Sequence, residues 1–216
     1  MIAREIVPKL KNWLFRGKVL IVFGPRQAGK TTFVEQLISG LDKKVVRFNG
    51  DEADVRDYLS NTTSTKLKAL IGDAELVFID EAQRIPNVSL TLKLFADQIK
   101  TVQVIASGSS SFELANKANE PLTGRKYEFF MPPLSFSEMV THHGLIEERR
   151  MLEHRLVYGF YPEIVVEQNE ADELLRMLVS SYLYKDLTLF SGVNKPYIID
   201  KILRALALQL GSEVKY

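Results

Sequence analysis

Apolar residues follow two different periods along this chain. Unbroken apolar runs, Val19-Leu20-Ile21-Val22-Phe23 and Leu76-Val77-Phe78-Ile79, have the length and composition of strands buried on both faces. Three further strands are expected over 43–48 (Val45, Val46, Phe48), 102–106 and 127–131, the last stopped by Pro132-Pro133. Between them the apolar positions take helical spacing. Phe33, Leu37 and Ile38 come after the first run, and Leu90, Leu94 and Phe95 come after Pro86. The stretch Glu52 to Ile71 is helical in pieces, with a polar break over 61–65. Ser39-Gly40 stops a helix and Asn49-Gly50-Asp51 marks a turn. Alternating strands and helices predict a parallel sheet with helices on both faces, an α/β fold with its function at the carboxyl ends of the strands.

The flanks are helical. Ile2, Ile6, Leu10 and Leu14 predict an amphipathic helix interrupted near Pro8. Past Pro133 only helices are expected, over 135–143, 147–158 and 172–184. Ser135 with Glu138 forms a capping-box signature at the start of the first. A last helix, 196–210, presents Ile199, Ile202, Leu203, Leu206 and Leu210 and is closed by Gly211. Its apolar face has nothing to pack on, which reads as a chain cut inside a further domain.

The stretch Gly24-Pro25-Arg26-Gln27-Ala28-Gly29-Lys30-Thr31, with Thr32 next, changes the picture from fold to chemistry. It fits G-x-x-x-x-G-K-[ST] between a strand and a helix, the context that a triphosphate-binding loop requires. Gly24 ends the strand, and Gly29 lets successive amides turn into one concavity at a helix N-terminus, an anion site. Lys30 is placed to reach the β- and γ-phosphates and Thr31 to take one position on Mg²⁺. Asp80 and Glu81, ending the third strand, supply the second half. Asp80 is expected to hold the Mg²⁺ water shell, and Glu81 to orient an attacking water.

Ser107 and Ser109 end the fourth strand within Ser-Gly-Ser-Ser-Ser. They read either as a polar sensor of water or γ-phosphate, with Ser109 preferred because Gly108 turns the backbone, or as a flexible cap of the next helix. Arg125, before the fifth strand, reads as a charge stabiliser acting in its own or a neighbouring subunit, or as a solvated loop residue. Arg26 touches phosphate or makes a salt bridge at the loop's rim.

Composition narrows the partners. Across 216 residues the net charge is +1, which makes no electrostatic case for nucleic acid or a membrane surface. There is no cysteine, so disulfides and cysteine-based zinc sites are excluded. His142 and His143 are adjacent and lack a carboxylate motif, which makes them solvated helix positions rather than ligands. No apolar run is long enough to span a bilayer and no signal-peptide core opens the chain, so the expected location is the cytoplasm.

Three stretches together, Gly24 to Thr32 (GPRQAGKTT), Phe78 to Pro86 (FIDEAQRIP) and Ala106 to Phe112 (ASGSSSF), resemble the prokaryotic AAA-superfamily ATPases. The closer resemblance is to the uncharacterised ATPases with a C-terminal domain of unknown function. Leu122 to Glu138 (LTGRKYEFFMPPLSFSE) and Gly159 to Glu163 (GFYPE) extend it over nearly the whole chain. The resemblance implies a three-layer αβα sandwich with a parallel five-stranded sheet in the order 5-1-4-3-2, and a helical lid after it. It implies a P-loop ATPase core over 1–134, a lid over 135–193, and the start of a winged-helix domain over 194–216. ATP and Mg²⁺ are the implied cofactors, with Walker-type roles for Lys30, Thr31, Asp80 and Glu81 and a sensor near Ser107 to Ser109. Arg155 and Arg176 are the visible arginines for a second sensor.

The expected activity is Mg²⁺-dependent ATP hydrolysis that moves the lid and the downstream domains, with a homo-oligomer as the setting for an arginine in trans. A slow nucleotide-dependent switch that binds DNA through the winged helix is the alternative. Lys195, Lys201, Arg204 and Lys215 are too few for a phosphate-binding stripe there. A P-loop kinase is disfavoured because Glu81 beside the γ-phosphate promotes hydrolysis.

Overall fold

The computed structural model describes residues 2–109, 122–180 and 196–210. Five strands, β1 (Val19–Phe23), β2 (Val45–Asn49), β3 (Leu76–Asp80), β4 (Gln103–Gly108) and β5 (Lys126–Phe130), form one sheet. All its pairings are parallel and the order is β2-β3-β4-β1-β5. Taken from the other edge this is the order 5-1-4-3-2. The apolar runs lie inside: β1, β3 and β4 are buried along nearly their whole length, whereas the edge strands β2 and β5 are only half-buried.

Strand alternation divides the core into two layers. Leu20 and Val22 of β1 face one side, with Phe78, Ile105 and Leu10 of α1 (Ile6–Lys11), and with Phe33, Val34, Leu37 and Ile38 of α2 (Lys30–Ser39). Val19 and Ile21 face the other. There they join Val55 and Leu59 of α3 (Ala53–Leu59), Leu67 and Ile71 of α4 (Ser64–Ile71), and Leu92 and Phe95 of α5 (Val88–Gln98). The architecture is the expected three-layer sandwich.

Pro8 does not interrupt the first helix. It lies in the first turn of α1, where its missing N–H has no intrahelical partner to lose. Beyond the sheet come α6 (Phe136–His143), α7 (Leu145–Arg150) and α8 (Leu152–Tyr158). The expected helix over 147–158 is thus two helices meeting at Met151. The capping box on α6 is present, with the Glu138 amide donating to Ser135 Oγ and the Ser135 amide to Glu138 Oε2. α9 (Pro162–Val166) has no counterpart in the sequence pattern, because a single turn is too short to show periodicity. α10 (Ala171–Leu178) and α11 (Pro196–Leu208) complete the described elements. Ser110, Ser111, residues 181–184 and Gly211 lie outside the described residues.

The chain separates into two compact units, residues 1–155 with 160–162, and residues 156–159 with 163–216. The first holds the sheet and the phosphate loop. It also contains a buried charge group, in which Glu148 accepts from Arg155 Nε (3.1 Å) and lies 2.8 Å from His143 Nε2. The second unit buries Ile164, Val165 and Ala171, and carries an exposed Arg176–Asp172 pair one turn apart on α10. No described helix is long and apolar enough to cross a membrane.

Candidate functional site at the carboxyl edge of the sheet

Parallel strands all end at one edge, so the segments that leave β1, β3 and β4 converge there. After β1 the backbone turns sharply at Gly24. A Cβ on that residue would stand 2.1 Å from the Met131 carbonyl oxygen, so only glycine fits beside the end of β5. Gln27 (φ 58°) and Gly29 (φ 86°) both take left-handed conformations, and α2 starts at Lys30. Left-handed residues in the turn before a helix N-terminus help aim successive amides into one concavity. Lys30 Nζ donates to the carbonyls of Gly24 (3.0 Å) and Pro25 (2.7 Å), across the loop's own mouth. Arg26 is half-buried in the loop, Gln27 is exposed, and Thr31 and Thr32 are exposed on the first turn of α2.

Asp80 is the hub. Its Oδ2 accepts from Thr31 Oγ1 at 2.8 Å, and its Oδ1 accepts from the Glu81 amide at 3.0 Å and from Ser107 Oγ. The ladder explains these partners. Ile79 pairs with Ala106, and Val22 with Ser107, so Asp80, Ser107 and the loop after β1 meet at one level. Glu81 comes next with φ 47° and ψ 38°, a left-handed conformation uncommon for a non-glycine residue. Its carboxylate accepts from Gln83 Nε2.

Thr31 and Asp80 are thus hydrogen-bonded to one another, with Lys30 next to the first and Glu81 next to the second in sequence. Ser107, rather than the preferred Ser109, is the residue bonded to Asp80. Arg125 lies at the opposite edge of the sheet from the phosphate loop of its own chain. Its carbonyl accepts from the Val19 amide, at the amino end of β1, and its side chain pairs with Asp97 (2.6 Å). A five-residue strand, on the order of 15 Å long, separates it from the phosphate loop. Of the two arginines considered for a second sensor, Arg155 is buried against Glu148 and Arg176 is exposed on α10.

Three contributors escaped the sequence reading. Gly50, taken as a turn residue, donates its amide to the Asp80 carbonyl (2.9 Å), and a Cβ there would meet the Glu81 carbonyl at 2.4 Å. Gln83 holds the Glu81 carboxylate; its place two residues beyond Asp80-Glu81 was the available signal. Arg4 donates to the Ala28 carbonyl from 24 residues away, and no local pattern announces that.

Oxygen donors suit a hard divalent cation, and the Thr31 hydroxyl with the Asp80 carboxylate form such a pair beside the amide nest. Fixed amide dipoles, a helix N-terminus and Lys30 suit phosphate. The residues present fit a magnesium-bound nucleoside triphosphate.

Comparison with known proteins places the chain in a family. The family model described as "AAA domain" matches residues 16–140, and one described as "Domain of unknown function (DUF8612)" matches 149–216. The uncharacterized protein Rv2008c of Mycobacterium tuberculosis is 33% identical over 123 residues, 56% of this chain and 26% of that protein. The uncharacterized protein MJ1544 of Methanocaldococcus jannaschii is 24% identical over 96% of this chain and 50% of its own length. The chain thus spans a quarter to a half of these relatives. Among solved structures, the RuvB Holliday junction branch migration motor of Thermotoga maritima overlaps 71% of this chain and 52% of its own. Its TM-score is 0.44 at 18% identity. With the AAA-domain match covering more than half of its length, the chain belongs to the AAA-superfamily P-loop ATPases that carry a following domain of unknown function.

Proposed function

We propose that this chain binds Mg·ATP and hydrolyses it. The observation that carries the reading is the convergence on Asp80: Thr31 from the phosphate loop and Ser107 from the neighbouring strand both donate to its carboxylate, with Glu81 next in sequence. A loop built only to join a strand to a helix has no need of this arrangement.

The amides of residues 25–32 and Lys30 bind and orient the triphosphate. Lys30, now on the Gly24 and Pro25 carbonyls, exchanges those bonds for phosphate oxygens. Thr31 and Asp80 are the residues that would hold Mg²⁺, which neutralises charge on the β- and γ-phosphates when bound. Glu81 orients a water and accepts its proton as the new oxygen–phosphorus bond forms. The bond from the γ-phosphorus to the bridging oxygen breaks, and ADP and inorganic phosphate leave. Ser107 holds Asp80 in place throughout.

A nucleotide-dependent movement would start at residues 160–162. The Phe160 carbonyl accepts from the Leu134 amide (2.9 Å), and a Cβ placed on Gly29 would come within 3.7 Å of Pro162 Cγ. Pro162 is therefore close enough to Gly29 to respond when the nest is filled.

Phosphate release with Mg·ATP, measured on the wild type and on Glu81→Gln, tests the proposal. Turnover that Glu81→Gln removes while nucleotide binding persists is the expected result. Tight binding with no turnover in either protein would sink the hydrolysis reading, and no binding in the wild type would sink both.

A further inference from the structure

Arg4 is a buried cation far in sequence from everything it touches. Its guanidinium makes contacts in three directions. Nε donates to Glu138 Oε1 (3.1 Å), Nη1 to the Ala28 carbonyl (3.0 Å), and Nη2 to the Pro132 (2.5 Å) and Pro133 (3.3 Å) carbonyls. Arg4 and Glu138 side chains are 7% and 6% exposed, so the pair is nearly dry. Glu138 is itself fully engaged, because Oε1 also accepts from the Glu5 amide (2.8 Å) and Oε2 from the Ser135 amide (2.9 Å). A buried pair of this kind contributes little net stability compared with apolar residues of similar volume. Its presence therefore asks for another reason.

The reason lies in the Ala28 contact. In a planar trans peptide the carbonyl of residue 28 and the N–H of residue 29 point in opposite directions. An arginine that draws the Ala28 oxygen outward turns the Gly29 N–H inward, toward the space that Lys30 and Thr31 border. We propose that Arg4 is a positioning residue for the phosphate loop: it sets the Ala28–Gly29 peptide plane so that the Gly29 amide joins the anion nest, with Glu138 as the anchor that aims Arg4. The same guanidinium ties the loop to the segment after β5, whose Met131 packs on Gly24, and through Glu138 to the first turn of α6. Lysine cannot replace this fork, since one ammonium cannot span a carboxylate and three carbonyls that lie in different directions.

This inference rests on the nucleotide-binding reading, and its test separates the two. A fluorescent ATP analogue with Mg²⁺ is titrated into four proteins: wild type, Arg4→Lys, Arg4→Met and the double variant Arg4→Met/Glu138→Gln. Melting temperatures are recorded in parallel, and titrations are run well below them. Arg4→Met strands the Glu138 carboxylate and lowers both stability and affinity. Glu138→Gln removes that buried charge and keeps the capping box, so the double variant regains melting temperature. Its affinity nevertheless stays about tenfold below wild type, the equivalent of one lost hydrogen bond of about 1.4 kcal/mol. Arg4→Lys retains a partner for Glu138 and folds, with a similar loss of affinity. Affinity that recovers together with melting temperature in the double variant, or wild-type affinity in Arg4→Lys, overturns the positioning role and leaves nucleotide binding standing. A wild type that takes up no analogue overturns the binding reading itself, and this inference with it.

Discussion

Gly50→Ala is the sharpest probe of how the fold builds the site, because Gly50 touches no ligand and carries no chemistry. Its backbone is not left-handed, so the constraint is proximity alone. A methyl group there would lie 2.4 Å from the Glu81 carbonyl oxygen and 3.3 Å from that of Asp80, whereas real Cβ contacts essentially never fall below 3.0 Å. The two chains must part by at least about 0.6 Å, and the Gly50 amide bond to the Asp80 carbonyl resists that movement. Overpacking of this order costs about 1–3 kcal/mol, and a weakened backbone hydrogen bond adds about 1 kcal/mol. Melting temperature should fall by about 2–4 °C for each kcal/mol. The parting displaces the backbone that carries Asp80 and Glu81, and misplacement approaching 1 Å can lower turnover by about a hundredfold. Phosphate release at saturating Mg·ATP, with a thermal melt of the same preparation, checks both effects. Gly40→Ala is the control, since its Cβ would sit 3.6 Å from the nearest oxygen at φ −86° and should leave both unchanged. A Gly50→Ala protein that melts early yet turns over like wild type would refute the claim that this contact places the carboxylates.

The same geometry yields two further outcomes. Ser107→Ala removes the hydroxyl donor to Asp80 and should lower turnover about tenfold or more, while Ser109→Ala should stay within about twofold; the reverse order in a phosphate-release assay would restore Ser109 as the sensor. Arg125→Ala should also keep turnover within about twofold, because Arg125 lies at the amino edge of the sheet. Its effect should appear in the pH dependence of stability instead. The Arg125 side chain, hydrogen-bonded to Asp97, holds that carboxyl below its ordinary value, so the pair's contribution is present above the unfolded value near ~4 and fades as pH falls through the folded one. The melting difference between Arg125→Ala and wild type should therefore be small at pH 7 and smaller still at pH 3, and high salt should shrink it at pH 7.

The local half of this protein was legible from residue types. Burial on both faces demands apolar runs, and a loop that binds phosphate needs glycine where backbone must turn and lysine where charge must reach. Both are short-range demands, so β1, the loop and Asp80-Glu81 could be found without a fold. The position of Arg125 follows from the same kind of rule, since a residue that precedes a parallel strand sits at the edge away from the phosphate loop. The sheet order came from the family resemblance and not from the pattern itself, because alternation of strands and helices is the same for every order. The remainder depended on register and on distant chain. Ser107 and Ser109 share a face of the same segment, and only the pairing of Ile79 with Ala106 decides which hydroxyl meets Asp80. Gly50 looks like any turn glycine until β2 is set beside β3 and its Cα is pressed on Glu81. Arg4 and Glu138 stand 134 positions apart. Their pairing, and the loop carbonyl that Arg4 holds, exist because the N-terminal segment and the chain after β5 are packed against the phosphate loop. Local sequence sets which groups are available, while packing over long separations decides which of them face one another.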